Sequence, residues 1–270
     1  MTDVESPPGS GPGPAFAASR TRLGLVVVLL ALAAVGWWWT VRETRGMDNG
    51  PWSSPGTFGW FLGVWVVMMA AMMFPSVSPT VALYSRMSNS RWLPLAFTTG
   101  YLTTWTGAGV IAFMIGVAGR HAAGKDLAWD HAGRYIAGAT LIAAAVYELT
   151  PLKNACLGRC RSPLGTLLGS WRDGWTGALR MGAVNGAWCV GCCWALMASL
   201  FALGVMSVTW MAVVAGLIAL EKVIPWRSAA IYGTTLILVV LGVLVLAAPE
   251  ALPGFNVPGD PQMVMTTMGS

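Results

Sequence analysis

The chain has 270 residues, of which 56% are hydrophobic and only 10% are charged, and its mean hydropathy is +0.64. A composition this apolar excludes an ordinary soluble globular protein and predicts a membrane protein with several spans. The formal net charge is +5, but the sequence contains no dense run of Lys or Arg, so we expect a lipid bilayer rather than nucleic acid as its partner.

Seven apolar segments follow one another along the chain, and each is long enough, or nearly so, to cross a hydrocarbon layer of ~30 Å as a helix. They predict an all-α, polytopic transmembrane helix bundle with about seven spans, at 23–41, 58–74, 95–118, 135–150, 177–203, 207–224 and 229–247. The chain then divides into a disordered, Pro- and Gly-rich cytoplasmic tail (1–19), a transmembrane helical domain (20–247) and a flexible external tail (248–270).

The distribution of positive charge orients these segments. If the amino terminus is cytoplasmic, eleven of the 16 Lys and Arg residues lie on the cytoplasmic side and five on the outer side. Cytoplasmic loops of membrane proteins carry the excess of Lys and Arg. We therefore predict a cytoplasmic amino terminus and an external carboxyl terminus.

The second apolar segment contains four methionines shortly before Pro75. Met68 and Met72 lie one helical turn apart, and so do Met69 and Met73. Thioethers bind soft metal ions, but methionine also fills irregular gaps in cores. Both interpretations stay open, because the quartet becomes a candidate site only if the fold brings it close to other ligands.

Two carboxylates stand near the ends of predicted spans that run inward. Glu148 follows an otherwise uncharged stretch, and an ionisable residue in a span is a candidate functional residue because the bilayer makes charge costly. The alternative is a structural ion pair between Glu148 and Lys153 or a loop arginine. For Glu221 a structural pairing is favoured, since it stands next to Lys222.

Cysteines occur in two groups. Cys156 and Cys160 are four residues apart in a predicted cytoplasmic loop. This spacing would let two sulfurs on one helical turn bind the same ion, but two reduced cysteines without a function would show the same pattern. Cys189, Cys192 and Cys193 form the pattern C-x-x-C-C inside the fifth apolar segment. On a helix, Cys189 lies one turn from both of the others.

The cysteine-bearing face of the fifth segment continues in both directions with further polar or sulfur side chains, namely Met181, Asn185 and Met197. Thiolate and thioether ligands select Cu(I)-like ions, whereas carboxylates and carbonyls suit Mg²⁺ or Ca²⁺. This face therefore predicts a soft-metal site, with plain packing of small apolar thiols as the alternative.

Other features carry less information. Gly182-x-x-x-Gly186 is a small-residue packing motif and predicts that a neighbouring helix approaches the cysteine face closely. His121 and His131 are interpreted as solvated residues of an outer loop, and the methionines of 263–268 as part of the outer tail. The sequence contains no Walker loop, dinucleotide glycine fingerprint, H-E-x-x-H motif or nucleophile elbow.

In combination, these motifs resemble those of one bacterial family, the predicted metal-binding integral membrane proteins with domain of unknown function 2182. The resemblance covers roughly residues 58–228 and rests on three segments and one dipeptide: 65–76, 150–165, 180–197 and Glu221-Lys222. It implies a bacterial cytoplasmic-membrane protein with a metal-binding role. Where a histidine often stands in that family this chain has Asn185, a poorer ligand for a soft ion.

The leading prediction is a membrane protein that binds Cu(I), or another soft ion, and passes it to a partner protein or across the membrane. A membrane thiol–disulfide oxidoreductase that uses Cys189 and Cys192 is a second hypothesis. A non-catalytic assembly subunit is the third, and a non-enzymatic role is favoured. The candidate metal ligands are Cys189, Cys192, Cys193, Met68, Met69, Met72, Met73, Glu148, Cys156, Cys160 and Met181.

Overall fold

The computed structural model describes residues 14–43, 56–88, 90–123, 132–169, 171–204 and 207–249. All regular structure in these residues is helical, which confirms the predicted all-α bundle. The helices are α1 (Pro14–Glu43), α2 (Phe58–Met87), α3 (Leu93–Ala123), α4 (Arg134–Glu148), α5 (Pro151–Arg161), α6 (Pro163–Gly169), α7 (Gly174–Leu203), α8 (Val208–Val223) and α9 (Arg227–Ala247).

Five helices are long and apolar enough to cross a membrane, namely α1, α2, α3, α7 and α9. α4 and α5 meet the same condition only as a pair, which is bent by 68° at the break between them, so the count rises to six if they form one broken span. α8 has 16 residues, or about 24 Å at 1.5 Å per residue. Each predicted segment is thus helical, but length and composition support five or six spans among the described residues rather than about seven.

The two ends of the predicted transmembrane domain differ in how well the structure matches them. α1 begins at Pro14, within the predicted tail 1–19, whereas α9 ends at Ala247 as the sequence indicated. Residues 1–13 and most of the tail 248–270, including its methionines, lie outside the described residues, as does His131. His121 is exposed in the last turn of α3.

α2 continues for three turns beyond its predicted end at residue 74, through Pro75 and Pro79, to Met87. Proline lacks the N–H that would bond the carbonyl four residues earlier. Ser78 Oγ donates a hydrogen bond to the Pro75 carbonyl oxygen at 3.0 Å, which supplies the donor that Pro79 lacks. Because a side chain takes over this bond, the carbonyl freed by Pro79 keeps a partner while the helix continues through both prolines.

α3 and α7 form the most extensive helix–helix contact in the described part of the chain. A Cβ atom at Gly182 would overlap the Phe97 carbonyl oxygen, and one at Gly186 would lie 3.0 Å from the Tyr101 carbonyl oxygen. The absence of side chains lets the two backbones touch. The packing role predicted for Gly182-x-x-x-Gly186 is confirmed, and the contact carries Tyr101 to the face of α7 that bears Cys189.

The bend between α4 and α5 brings α5 into contact with α7. Thr150 caps α5 by accepting the Lys153 N–H at 3.3 Å, and Pro151 occupies the first turn, where its missing N–H costs nothing. α5 then packs on α7 where Gly191 leaves room, since a Cβ there would lie 2.9 Å from Cys156 Sγ. The fold thereby brings the loop cysteines to the cysteine-bearing helix.

Candidate metal centre

Three cysteine sulfurs converge in the interior of the bundle. The Sγ atoms of Cys160, Cys189 and Cys192 all lie within 4.8 Å of one another, and we call these residues the sulfur cluster. Two sulfurs bound to one ion through bonds of ~2.3 Å are at most ~4.6 Å apart. The spacing is therefore close to what a shared ion requires. In the described residues no other group of three Cys, His, Asp or Glu ligands is this compact.

The members of the sulfur cluster differ in exposure. Cys189 and Cys192 lie one turn apart in the middle of α7 and are each 1% exposed. Cys160 comes from the last turn of α5 and is partly exposed. An ion held here would thus be enclosed on the α7 side and approachable beside Cys160.

A thioether stands next to the sulfur cluster. Met73 Sδ lies 3.9 Å from Cys189 Sγ, and Met73 is completely buried in α2. This contact brings the methionine quartet of α2 to the cysteine motif of α7, although Met73 and Cys189 are more than a hundred residues apart in the chain. The other methionines predicted as ligands are also buried, but the described residues show no hydrogen bond between them and a cysteine sulfur: Met68, Met69, Met72 and Met181. Met181 Sδ instead accepts the Arg172 N–H at 3.4 Å.

Two of the predicted cysteine ligands lie beside the sulfur cluster and not within it. The Cys193 thiol donates a hydrogen bond to the Cys189 carbonyl oxygen at 2.8 Å, one turn back along α7. Cys156 is buried where α5 crosses Gly191. The structure therefore adds Cys160 of α5 to the sulfurs of Cys189 and Cys192, while the Cys193 thiol shares the Cys189 carbonyl oxygen with the Cys192 thiol.

Two hydrogen-bond donors from other helices meet at Cys189 Sγ. The Tyr101 hydroxyl donates from α3 at 3.0 Å, and Lys222 Nζ donates from the end of α8 at 3.2 Å. Lys222 Nζ also donates to Ser76 Oγ at 3.1 Å. Thiolate is the form of cysteine that binds metals, and two donors, one of them a cation, complement a sulfur that carries negative charge.

Sequence reasoning missed both of these donors. No pattern marks Tyr101, because its role depends on the contact between α3 and α7. Lys222 offers a signal, because it is a cation at the end of an apolar segment in a chain with cysteines elsewhere, but its neighbour Glu221 is the partner that the sequence predicts. The two side chains in fact point to different partners.

Glu221 belongs to a second buried group, which we call the ion-pair cluster: Glu148, Lys153 and Glu221. Lys153 Nζ lies 2.6 Å from Glu148 Oε2 and 2.8 Å from Glu221 Oε2, and all three side chains are buried. The alternative interpretation of Glu148 as a structural partner of Lys153 therefore matches the structure. Glu148 faces this lysine and is not a member of the sulfur cluster.

The ion-pair cluster links the elements that carry the sulfur cluster and its donors. It links the end of α4, the first turn of α5 and the last turn of α8. Arg161 reinforces the link by donating to the carbonyl oxygens of Glu221 at 3.0 Å and Ile224 at 2.7 Å. Cys160 directly precedes Arg161, and Lys222 directly follows Glu221, so the same contacts position a cluster sulfur and a donor.

Comparison with known proteins agrees with this geometry. No curated protein and no solved structure matches the chain. One family model, described as PpoB2, copper chaperone, matches residues 62–245, which is more than half of the 270 residues. The matched residues include the sulfur cluster and Met73, and the match supports the metal-binding character that the motifs indicated. The matching model is not that of domain of unknown function 2182, the family that the motifs resemble. The chain therefore belongs to the PpoB2 copper chaperone family.

Proposed function

We propose that this protein is a membrane-embedded copper chaperone that holds one Cu(I) ion in the sulfur cluster and delivers it to an acceptor protein. The convergence of three cysteine sulfurs from α5 and α7 within 4.8 Å carries the proposal. Thiolate and thioether ligands suit Cu(I), and Met73 Sδ adds a thioether 3.9 Å from Cys189 Sγ. Family membership supports copper as the cargo.

The unequal exposure of the three sulfurs suggests how the ion is passed on. Cys189 and Cys192 are enclosed and keep hold of the ion, whereas Cys160 is partly exposed. An incoming sulfur ligand of the acceptor replaces Cys160 first, so one metal–sulfur bond forms as another breaks. The sequence has no ATP-binding loop, and transfer therefore follows the difference in affinity between this protein and its acceptor.

Metal titration of the purified full-length protein tests the proposal. Anaerobic titration with Cu(I) against a competing chelator should give one ion per wild-type chain. Cys189→Ser should abolish stoichiometric binding, because it removes the sulfur nearest to Met73 and to both donors. Cys156→Ser is the control, since Cys156 is a buried cysteine of α5 outside the sulfur cluster, and it should bind normally.

Two results would contradict the proposal. Equal copper content in wild type, Cys189→Ser and Cys156→Ser would show that the sulfurs are packing. A metal-free wild-type protein that forms a Cys189–Cys192 disulfide under mild oxidation would favour the oxidoreductase instead.

The membrane placement forms part of the same proposal: a bacterial cytoplasmic membrane, with the amino terminus in the cytoplasm. The excess of Lys and Arg that seven spans would place on that side supports it. Reporter fusions at Ser10 and Gly269 should report the cytoplasm and the outside, respectively. If both report one compartment, the number of spans is even, and the bent pair α4–α5 is the first element to re-examine.

A further inference from the structure

The ligands of the sulfur cluster do not by themselves distinguish Cu(I) from Zn²⁺. Cysteine thiolates bind both ions, and a site with three cysteines can hold either. The two ions differ in charge, so a charged group beside the cluster would separate them. The structure places one such group next to Cys189, namely the ammonium group of Lys222.

Lys222 has no carboxylate partner among the described residues. The neighbouring Glu221 is paired with Lys153, and Lys222 forms no ion pair. Its two hydrogen bonds go to Cys189 Sγ at 3.2 Å and to Ser76 Oγ at 3.1 Å. A positive charge that no carboxylate neutralises by contact therefore stands against a sulfur of the proposed ligand set.

Ser76 anchors the Lys222 side chain independently of the sulfur cluster. The Ser76 hydroxyl accepts the hydrogen bond from Lys222 Nζ and itself donates to the Met73 carbonyl oxygen at 2.9 Å, one turn back along α2. This anchor does not involve the lone pairs of Cys189 Sγ that an ion would use. The ammonium group therefore keeps one of its two bonds when an ion occupies the cluster.

An ion bound to Cys189 would lie close to this charge. A metal–sulfur bond of ~2.3 Å and the 3.2 Å between Cys189 Sγ and Lys222 Nζ limit the separation of ion and ammonium to about 5.5 Å. At any such distance the repulsion is twice as large for a divalent ion as for a monovalent ion. Solvent weakens both repulsions, since Lys222 and Cys160 are partly exposed, but the factor of two persists.

We propose that Lys222 is a specificity-determining residue that favours monovalent Cu(I) over Zn²⁺ at the sulfur cluster. This role rests on the copper site of the proposed function and adds the group that selects the ion. Lys222 also stabilises the Cys189 thiolate, which helps either ion to bind. When the same thiolates hold both ions, that help cancels in the ratio of the two affinities, and the difference in repulsion remains.

The ratio of Cu(I) affinity to Zn²⁺ affinity tests this role. Each ion is titrated into the purified full-length protein in detergent, at one pH and 0.1 M salt, against a competing chelator. Lys222→Gln keeps an N–H donor but removes the charge, and should shift the ratio about tenfold towards Zn²⁺. Lys222→Arg keeps the charge and should stay close to the wild-type ratio.

Two further variants separate the local charge from its surroundings. Ser76→Ala removes the second anchor of Lys222 and should shift the ratio in the same direction by less. Arg180→Gln is the control, because Arg180 is an exposed cation of α7, about 13.5 Å along the helix from Cys189. Salt at 0.1 M screens charges beyond about 10 Å, so this variant should keep the wild-type ratio.

Three outcomes overturn the proposal. In the first, Lys222→Gln keeps the wild-type ratio, so its charge does not select the ion. In the second, Lys222→Gln and Lys222→Arg weaken both ions by the same factor, so Lys222 only supports the shape of the site. Both of these leave the copper proposal standing if wild type binds one Cu(I) ion. In the third, wild type binds no Cu(I), and both proposals fall.

Discussion

The sulfur cluster and the ion-pair cluster are both buried polar groups, and adjacent residues of α8 reach them. Glu221 enters the ion-pair cluster, whereas Lys222 contacts Cys189. In the ion-pair cluster, opposite charges meet at 2.6 and 2.8 Å, and two carboxylates share one lysine. In the sulfur cluster, weakly hydrogen-bonding atoms with free electron pairs face each other. Of the two buried clusters, only the sulfur cluster consists of soft ligands, and it is therefore the candidate site for a soft metal ion.

The largest effect on the fold should come from breaking the ion-pair cluster. Lys153→Met leaves two buried carboxylates without their cation and should destabilise the protein by about 3–5 kcal/mol. Chemical unfolding in detergent measures this loss. The triple variant Glu148→Gln, Lys153→Met, Glu221→Gln removes all three charges and should recover most of the stability. If Lys153→Met alone is as stable as wild type, the cluster does not hold α4, α5 and α8 together.

Removing a sulfur should give the opposite pattern, with metal lost and fold kept. Cys160→Ala should weaken Cu(I) binding at least tenfold, about 1.4 kcal/mol, because only two thiols then remain in the sulfur cluster. The unfolding temperature should change little, since Cys160 is partly exposed. Cys156→Ala, on the same helix and outside the cluster, should keep wild-type affinity. Equal affinities for the two variants would show that α5 contributes no ligand.

The smallest effect should come from the thioether. Met73→Leu keeps the packing volume and should weaken Cu(I) binding by roughly two- to fivefold, because a neutral thioether is a supporting ligand beside thiolates. Met68→Leu is the control, as a buried methionine of the same helix. Competition titration with a Cu(I) chelator resolves the difference. A larger loss for Met68→Leu would place the thioether ligand about one and a half turns earlier on α2.

Local pattern predicted the helices and part of the site. Apolar segments fixed where helices form, the spacing of Cys189 and Cys192 placed them on one face, and Gly182 marked a close helix contact. Each of these inferences uses neighbours within a few turns of one helix. Glu148 could be interpreted either as a ligand or as a partner of Lys153, and the contact with Lys153 became visible only in the structure.

The remainder of the site required contacts between helices that no local pattern encodes. Cys160 reaches the sulfurs of α7 because α4 and α5 are bent by 68° at their junction. Neither that angle nor the direction of α5 follows from residue spacing. The helical period also could not decide between Cys192 and Cys193, since both lie one turn from Cys189.

The contact of Gly182 with the Phe97 carbonyl has a consequence for how this site varies among related chains. Tyr101 stands one turn beyond Phe97, and Cys189 stands two turns beyond Gly182. The 3.0 Å between phenol and thiol is thus set by the size of a residue that touches neither. A chain with a larger residue at this position would keep every cysteine and still lose a donor, so an intact cysteine motif alone does not guarantee the same sulfur chemistry.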